Sequence, residues 1–279
     1  MRNAFCLIAV LASATLTTGD RVYEPGVVST SAAEIRLAVS PDGNHMLWGV
    51  IGRGDETDQL DIWERRFEDG RWSPPRRTVF STAAVEFDPA FSPDGRTLYF
   101  HSDRPGGFGG TDIYVVTADP ASGAFGDAEN LGPSVNSAGD EWAPTPTPDG
   151  GLIFASDGWG GFGLHDLFEA DLRPGAGGPR NLGPEVNGPL EDFDGALAPG
   201  GGELIFSSGL MSGEAPAVRL FRAVRAAGRW GGRQAVPTGC SNFLIGAAFD
   251  PGDPGVFYYA ANCPDGQGRM DIRRTRLAP

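Results

Sequence analysis

Phe91-Ser92-Pro93-Asp94-Gly95-Arg96-Thr97-Leu98-Tyr99-Phe100 is the stretch that decides the fold. Proline fixes φ, and Asp-Gly supplies a residue tolerant of positive φ. Pro-Asp-Gly therefore closes a tight hairpin between a short apolar segment and a following strand. The turn recurs as Ser40 to Gly43 and Thr147 to Gly150, and in weaker form as Ala198 to Gly201 and Asp250 to Asp253. Its prolines stand at 41, 93, 148, 199 and 251, a regular step of roughly fifty residues, the scale of a propeller or solenoid repeat.

The surroundings repeat with the turn. An apolar segment precedes it, as in Leu37-Ala38-Val39, and a second one follows: Met46-Leu47-Trp48, Leu98-Tyr99-Phe100, Leu152-Ile153-Phe154, Leu204-Ile205-Phe206 and Val256-Phe257-Tyr258. A Gly-rich loop then leads to a third strand opening at Asp61, Asp112, Asp166, Arg219 or Asp271, and a fourth, more polar strand closes the unit. Four antiparallel strands per unit, apolar inside and polar outside, make a propeller blade. No segment sustains a 3.6-residue period, so little helix is expected. The fifth unit stops after its third strand, and residues from about Arg21 to Thr30 are expected to supply the missing outer strand and close the ring. The fold expected is an all-β, five-bladed β-propeller of four-stranded antiparallel blades, with six blades as the alternative.

The first residues read as an export signal. Met1-Arg2-Asn3 carries one positive charge, Ala4 to Leu16 is apolar but short for a bilayer span, and Ala12-Ser13-Ala14 resembles a cleavage site, with a point near Gly19 as the other choice. Residues 1–19 are assigned to the signal and 20–279 to one propeller domain, periplasmic or secreted, with no transmembrane segment. Two cysteines remain, Cys240 and Cys263, an even pair that suggests one disulfide in an exported chain. The 42 Gly and 23 Pro fit many short strands joined by turns, and 40% hydrophobic residues exclude a disordered chain. A net charge of −14 repels nucleic acid and anionic lipid.

Ser102-Asp103-Arg104-Pro105-Gly106-Gly107-Phe108-Gly109-Gly110-Thr111-Asp112-Ile113-Tyr114 extends the opening stretch, and Ser156 to Gly163 repeats its loop. The linkers Asn130-Leu131-Gly132-Pro133 and Asn181-Leu182-Gly183-Pro184 match each other. Together these resemble the WD40-like Pro-Asp-Gly repeat of TolB-type propellers, sharply in units two and three and weakly in units four and five. The resemblance implies an exported propeller that binds other proteins. It implies no single activity, because function resides in sites rather than folds.

Two regions of the repeat share one face: the acidic start of each inner strand and the Gly-rich loop. Glu34, Glu86, Glu141 and Asp192 occupy one repeat position, with Asp88 and Asp194 two residues beyond it, while unit five has Leu244 there. Clustered carboxylates raise one another's pKa or attract a cation, and equally they accept hydrogen bonds from amides where inner strands begin. The binding residues expected on this face are Glu86, Asp88, Glu141, Asp192, Asp194, Arg104 and Trp159. Arg104 reads as a loop brace or a ligand contact, and Trp159 as core or as a stacking platform. Cys240 and Cys263 fall on the same face of unit five. No cofactor is expected, although the channel acids leave room for a cation. His45, His101 and His165 lie in separate units, and no G-x-S-x-G, H-E-x-x-H or P-loop motif is present. The function expected is non-catalytic binding of a protein or cell-envelope glycan by a monomer. The alternative is a carbohydrate-active propeller with carboxylates at the channel mouth.

Overall fold

The computed structural model describes residues 17–53, 59–119, 123–239 and 243–277. The described residues contain no helix. They form five antiparallel sheets in sequence order around a central axis. Blade two is typical: Glu86–Phe91, Thr97–Ser102, Asp112–Thr117 and Glu129–Asn130 run from the axis outward. Blade three repeats it with Glu141–Pro146, Gly151–Ser156, Asp166–Asp171 and Arg180–Asn181. Blades one (Ala33–Val39 onward) and four (Glu191–Leu197 onward) split the outer strand into two short pieces, both pairing with the third strand.

Blade five combines Leu244–Asp250, Asp253–Ala261 and Asp271–Leu277 with the N-terminal strand Thr17–Val22. The ring is thus closed by the chain's two ends, as the sequence predicts, but with earlier residues than Arg21 to Thr30. Thr18 pairs Arg276 and Val22 pairs Arg273. The strand ends where Glu24 and Gly26 take positive φ around Pro25, which has no amide proton to continue a ladder. Asp20 fastens the closure, accepting from Tyr259 Oη at 2.6 Å and Arg273 Nε at 2.8 Å.

The core lies between blades. Trp48, Phe100, Phe154 and Phe206, the second-strand aromatics read from the repeat, are fully buried. Three of them stack on the third strand: Phe100 on Tyr114, Phe154 on Phe168 and Phe206 on Phe221, with centroids 6.0, 6.2 and 6.0 Å apart. The Pro-Asp-Gly turns form as expected. Gly43, Gly95, Gly150 and Gly201 all have φ near +70 to +85°, and Ser92 Oγ donates to Asp94 at 2.7 Å.

Every inner strand also carries a β-bulge that the repeat pattern does not reveal. The register shifts after Ile35, Phe87, Trp142, Phe193 and Ile245. The next residue in each case, Arg36, Asp88, Ala143, Asp194 or Gly246, takes φ of +49 to +64°. A bulge re-aims the side chain that follows it. Here it creates a ring of five positions at one level of the channel.

Candidate functional site

The recurrent carboxylates are fully buried and tied to the backbone. Each accepts from the amide four residues earlier: Thr82 N to Glu86 at 2.9 Å, Ser137 N to Glu141 at 2.8 Å and Gly188 N to Asp192 at 2.6 Å. The hydroxyls of Thr82 and Ser137 add a second bond, each at 2.5 Å, and Ser156 Oγ reaches Glu141 at 2.7 Å. Glu34 follows the pattern with Thr30. These acids latch the linker onto the inner strand rather than rimming an open mouth. Burial holds Glu34, Glu141 and Asp192 above the usual carboxylate range, against the opposing pull of those hydrogen bonds.

Arg104 and Trp159 brace the same linkers. Arg104 Nη2 donates to Glu86 at 3.0 Å and to the Phe80 carbonyl at 3.4 Å, with the guanidinium over Phe100 and Tyr114. Trp159 Nε1 donates to the Val135 carbonyl at 2.9 Å. Arg233 does the same work in blade four, on Asp192 at 2.9 Å and the Val186 carbonyl at 3.3 Å, and Arg53 reaches the Val27 carbonyl in blade one at 3.0 Å. The sequence conceals this shared role because Arg233 comes from the outer linker and not from the Gly-rich loop.

A second network explains the repeated Asn-Leu-Gly-Pro linkers. Asn136 brackets Ile113, accepting its amide at 2.8 Å and donating to its carbonyl at 3.0 Å, and donates to Asn130 at 2.9 Å. Asn130 in turn donates to Asp112, which accepts Phe108 N at 2.7 Å. Asn187, Asn181, Asp166 and Phe162 N repeat this in blade three. A Cβ on Gly107 would stand 2.2 Å from Asp112 Oδ2, so the loop needs glycine there. The Asn-x5-Asn spacing is present in the sequence, but only the fold shows its use.

The bulge ring forms the centre of the channel. Arg36 Nη2 crosses from blade one to Thr145 Oγ1 at 2.7 Å and the Pro144 carbonyl at 3.0 Å in blade three, and to the Gly195 carbonyl at 3.2 Å in blade four. Nη1 reaches the Ala247 carbonyl in blade five at 3.5 Å. Asp194 accepts Gly246 N at 2.7 Å, and Asp88 lies 3.4 Å from His101 Nδ1. That His101 contact is of ion-pair length only, because the ring nitrogen lacks hydrogen-bond geometry. A Cβ at position 246 would press to 2.7 Å on the Arg36 backbone, so only glycine fits the fifth site. Asp88 and Asp194, expected beside the surface acids, are therefore interior residues. Arg36 places a buried positive charge at this level of the channel.

Burial pushes Asp88 up to about 6 and Asp194, further raised by Asp88, up to about 7, while Arg36 opposes both. The pair titrates as a unit. Burial also pushes His101 down to about 4. An acid whose native pKa is raised binds protons more tightly when folded, so its stabilising contribution is lost as pH rises through the native value. Asp194→Asn keeps an oxygen for Gly246 N and removes the charge. Its stability relative to wild type is expected to improve by roughly 2–3 kcal/mol between pH 5 and pH 8. Chemical denaturation at both pH values measures this, and a pH-independent difference would contradict the assignment.

A concave surface lies on the opposite face from the acids. A cavity of about 320 Å³ opens among the hairpin turns and ends on Arg36 and Thr145. All five repeat prolines, Pro41, Pro93, Pro148, Pro199 and Pro251, contribute to its wall. The sequence assigns this face only turns, because period and motif do not show that five turns converge on one axis. Cys263 is buried in blade five, and Cys240 lies outside the described residues.

Five closed blades around a proline-mouthed axial funnel define a five-bladed β-propeller. No protein-family model and no curated protein sequence matches the chain. Among solved structures, TolB from Acinetobacter baumannii is similar with a TM-score of 0.54 at 17% identity, over 88% of this chain and 55% of that one. A gluconolactonase from Xanthomonas campestris gives 0.53 at 13% identity, over 90% and 78%. An α-L-arabinofuranosidase from Podospora anserina, in complex with cellotriose, gives 0.52 at 11% identity, over 95% and 96%. The chain spans just over half the length of TolB. At these identities the likeness is one of fold alone.

Proposed function

We propose that this chain is an exported, non-catalytic propeller that binds an apolar segment of a protein partner in the proline-walled funnel. The observation that supports it best is the disposition of the carboxylates. The four recurrent acids are engaged by linker amides, and Asp88 and Asp194 sit at the level of the Arg36 bridge, outside the funnel lining. Glycoside hydrolysis needs two carboxyl groups facing a substrate. The funnel instead offers Pro, Ala, Leu and Phe, with Arg36, Ser92 and Thr145 as its polar lining. Such a wall suits apolar side chains better than a hydroxyl-rich glycan, and its proline rings are preorganised.

Export rests on the charged start and the apolar Ala4 to Leu16, within residues 1–16 that lie outside the described structure. Cleavage at Ala12-Ser13-Ala14 leaves the strand Thr17–Val22 whole, whereas cleavage near Gly19 would cut into it. A Cys240–Cys263 bridge belongs to the same proposal. The test is capture of partners from cell-envelope extract. Ala248→Trp, on the funnel wall, is expected to lose capture, and Phe162→Ser, on an exposed loop of the other face, to retain it. Equal capture by Ala248→Trp would sink the funnel, and hydrolysis of a glycan or lactone by the wild type would sink the non-catalytic reading.

A further inference from the structure

His165 is more than nine-tenths buried, and neither of its ring nitrogens has a hydrogen-bond partner. Buried polar groups are nearly always satisfied, and an orphaned imidazole costs the free energy of its desolvation. The position immediately before the recurrent Asp of the third strand holds Leu60 in blade one and Met270 in blade five, so the repeat accepts an apolar residue there. Packing alone therefore does not require a histidine.

A ring nitrogen of His165 and one carboxylate oxygen each from Asp140 and Asp157 lie within 4.8 Å of one another. Asp140 Oδ1 accepts Thr111 N at 2.8 Å and Thr111 Oγ1 at 2.9 Å, and Asp157 Oδ1 accepts Asp140 N at 2.8 Å. Among the described residues no hydrogen bond uses the Oδ2 of either carboxylate. Trp142 stacks on the imidazole at 3.8 Å and fixes its plane. The three residues come from three chain segments: the linker before the inner strand, the end of the second strand and the start of the third. Asp157 has a counterpart in Asp103, which accepts Val85 N at 2.7 Å. Asp140 and His165 have none in blade two, where Val85 and Thr111 stand at their positions.

We propose that Asp140, Asp157 and His165 bind a divalent transition-metal cation of the zinc type on the face opposite the funnel. One imidazole nitrogen with two carboxylate oxygens suits borderline cations and is a poor set for calcium, which takes oxygen ligands only. Bonds of about 2.0–2.2 Å at the tetrahedral angle hold ligand atoms about 3.3–3.6 Å apart, so groups at the 4.8 Å limit close by roughly 1 Å on binding. Asp157 is exposed and gives the ion a path from solvent, with water completing its shell.

The test uses the metal-free protein, titrated with Zn²⁺ by calorimetry and with Co²⁺ by absorbance and tryptophan fluorescence. One equivalent of each is expected to bind, with Co²⁺ quenching the stacked Trp142, and Ca²⁺ is expected not to compete. His165→Leu installs the repeat's own residue type. It is expected to fold, to melt at or above the metal-free wild-type temperature, and to bind Zn²⁺ at least a hundredfold more weakly. Asp157→Asn is expected to weaken binding at least tenfold. No stoichiometric uptake by the wild type, or unchanged uptake by a folded His165→Leu, would overturn the site.

Discussion

Arg36→Met is expected to lower the stability of the folded ring by about 3–5 kcal/mol at neutral pH, the usual result of removing one partner from a buried charge cluster. Arg36 is buried and bridges from blade one to blades three, four and five through Thr145 and the carbonyls of Pro144, Gly195 and Ala247. Without it those oxygens lose a donor, and Asp88 and Asp194 lose the Arg36 charge that opposes their raised pKa values. The loss should shrink at pH 5, where both acids are protonated in the native state. Arg36→Lys keeps the charge but makes fewer of the bonds, and should recover part of the stability. Denaturant melts of the three proteins at pH 5 and pH 7 measure this. A loss for Arg36→Met that is under about 1 kcal/mol, or equal at both pH values, would show that the residue does not hold the hub together.

Glu141→Ala should be the next most damaging change, by roughly 2–4 kcal/mol, since each orphaned buried partner costs about 1–3 kcal/mol. It removes the acceptor for Ser137 N, Ser137 Oγ and Ser156 Oγ at a fully buried position. Glu141→Gln should be milder, because both hydroxyls can rotate to accept from the new amide. Hydrogen exchange should show faster opening of the linker from Gly132 to Asp140 in the alanine variant, with blade five unaffected. A surface carboxylate serving only a ligand would show neither effect, and its substitution would stay within about 0.5 kcal/mol of wild type.

The blade unit was legible because its signals are local. The Pro-Asp-Gly turns, the alternation after them and the Asp at the start of the third strand each act within a few residues. The closing strand was legible as a necessity but not in register. Its limits depend on Asp20 meeting Tyr259 and Arg273 and on the turn at Pro25, contacts more than two hundred residues apart or hidden in backbone angles. The recurrent acids were visible by position, and their latch role was one of two open readings. Trp159 and Arg104 look exposed in a Gly-rich loop, yet both reach back to linker carbonyls. The cluster of Asp140, Asp157 and His165 draws on three segments that no motif spacing connects.

Read alone, the sequence pointed to five blades, with six as the alternative, and to four strands in each with turns between them, because a repeat states its hydrophobic pattern and turn chemistry five times over. Only the tertiary structure decided what the axis contains. Five bulges each add one residue to an inner strand, and that extra residue turns Arg36, Asp88 and Asp194 from the blade face into the channel. Ring closure then gathers five separate prolines into one funnel. Both results arise from the relative placement of blades, which the residues of no single blade encode.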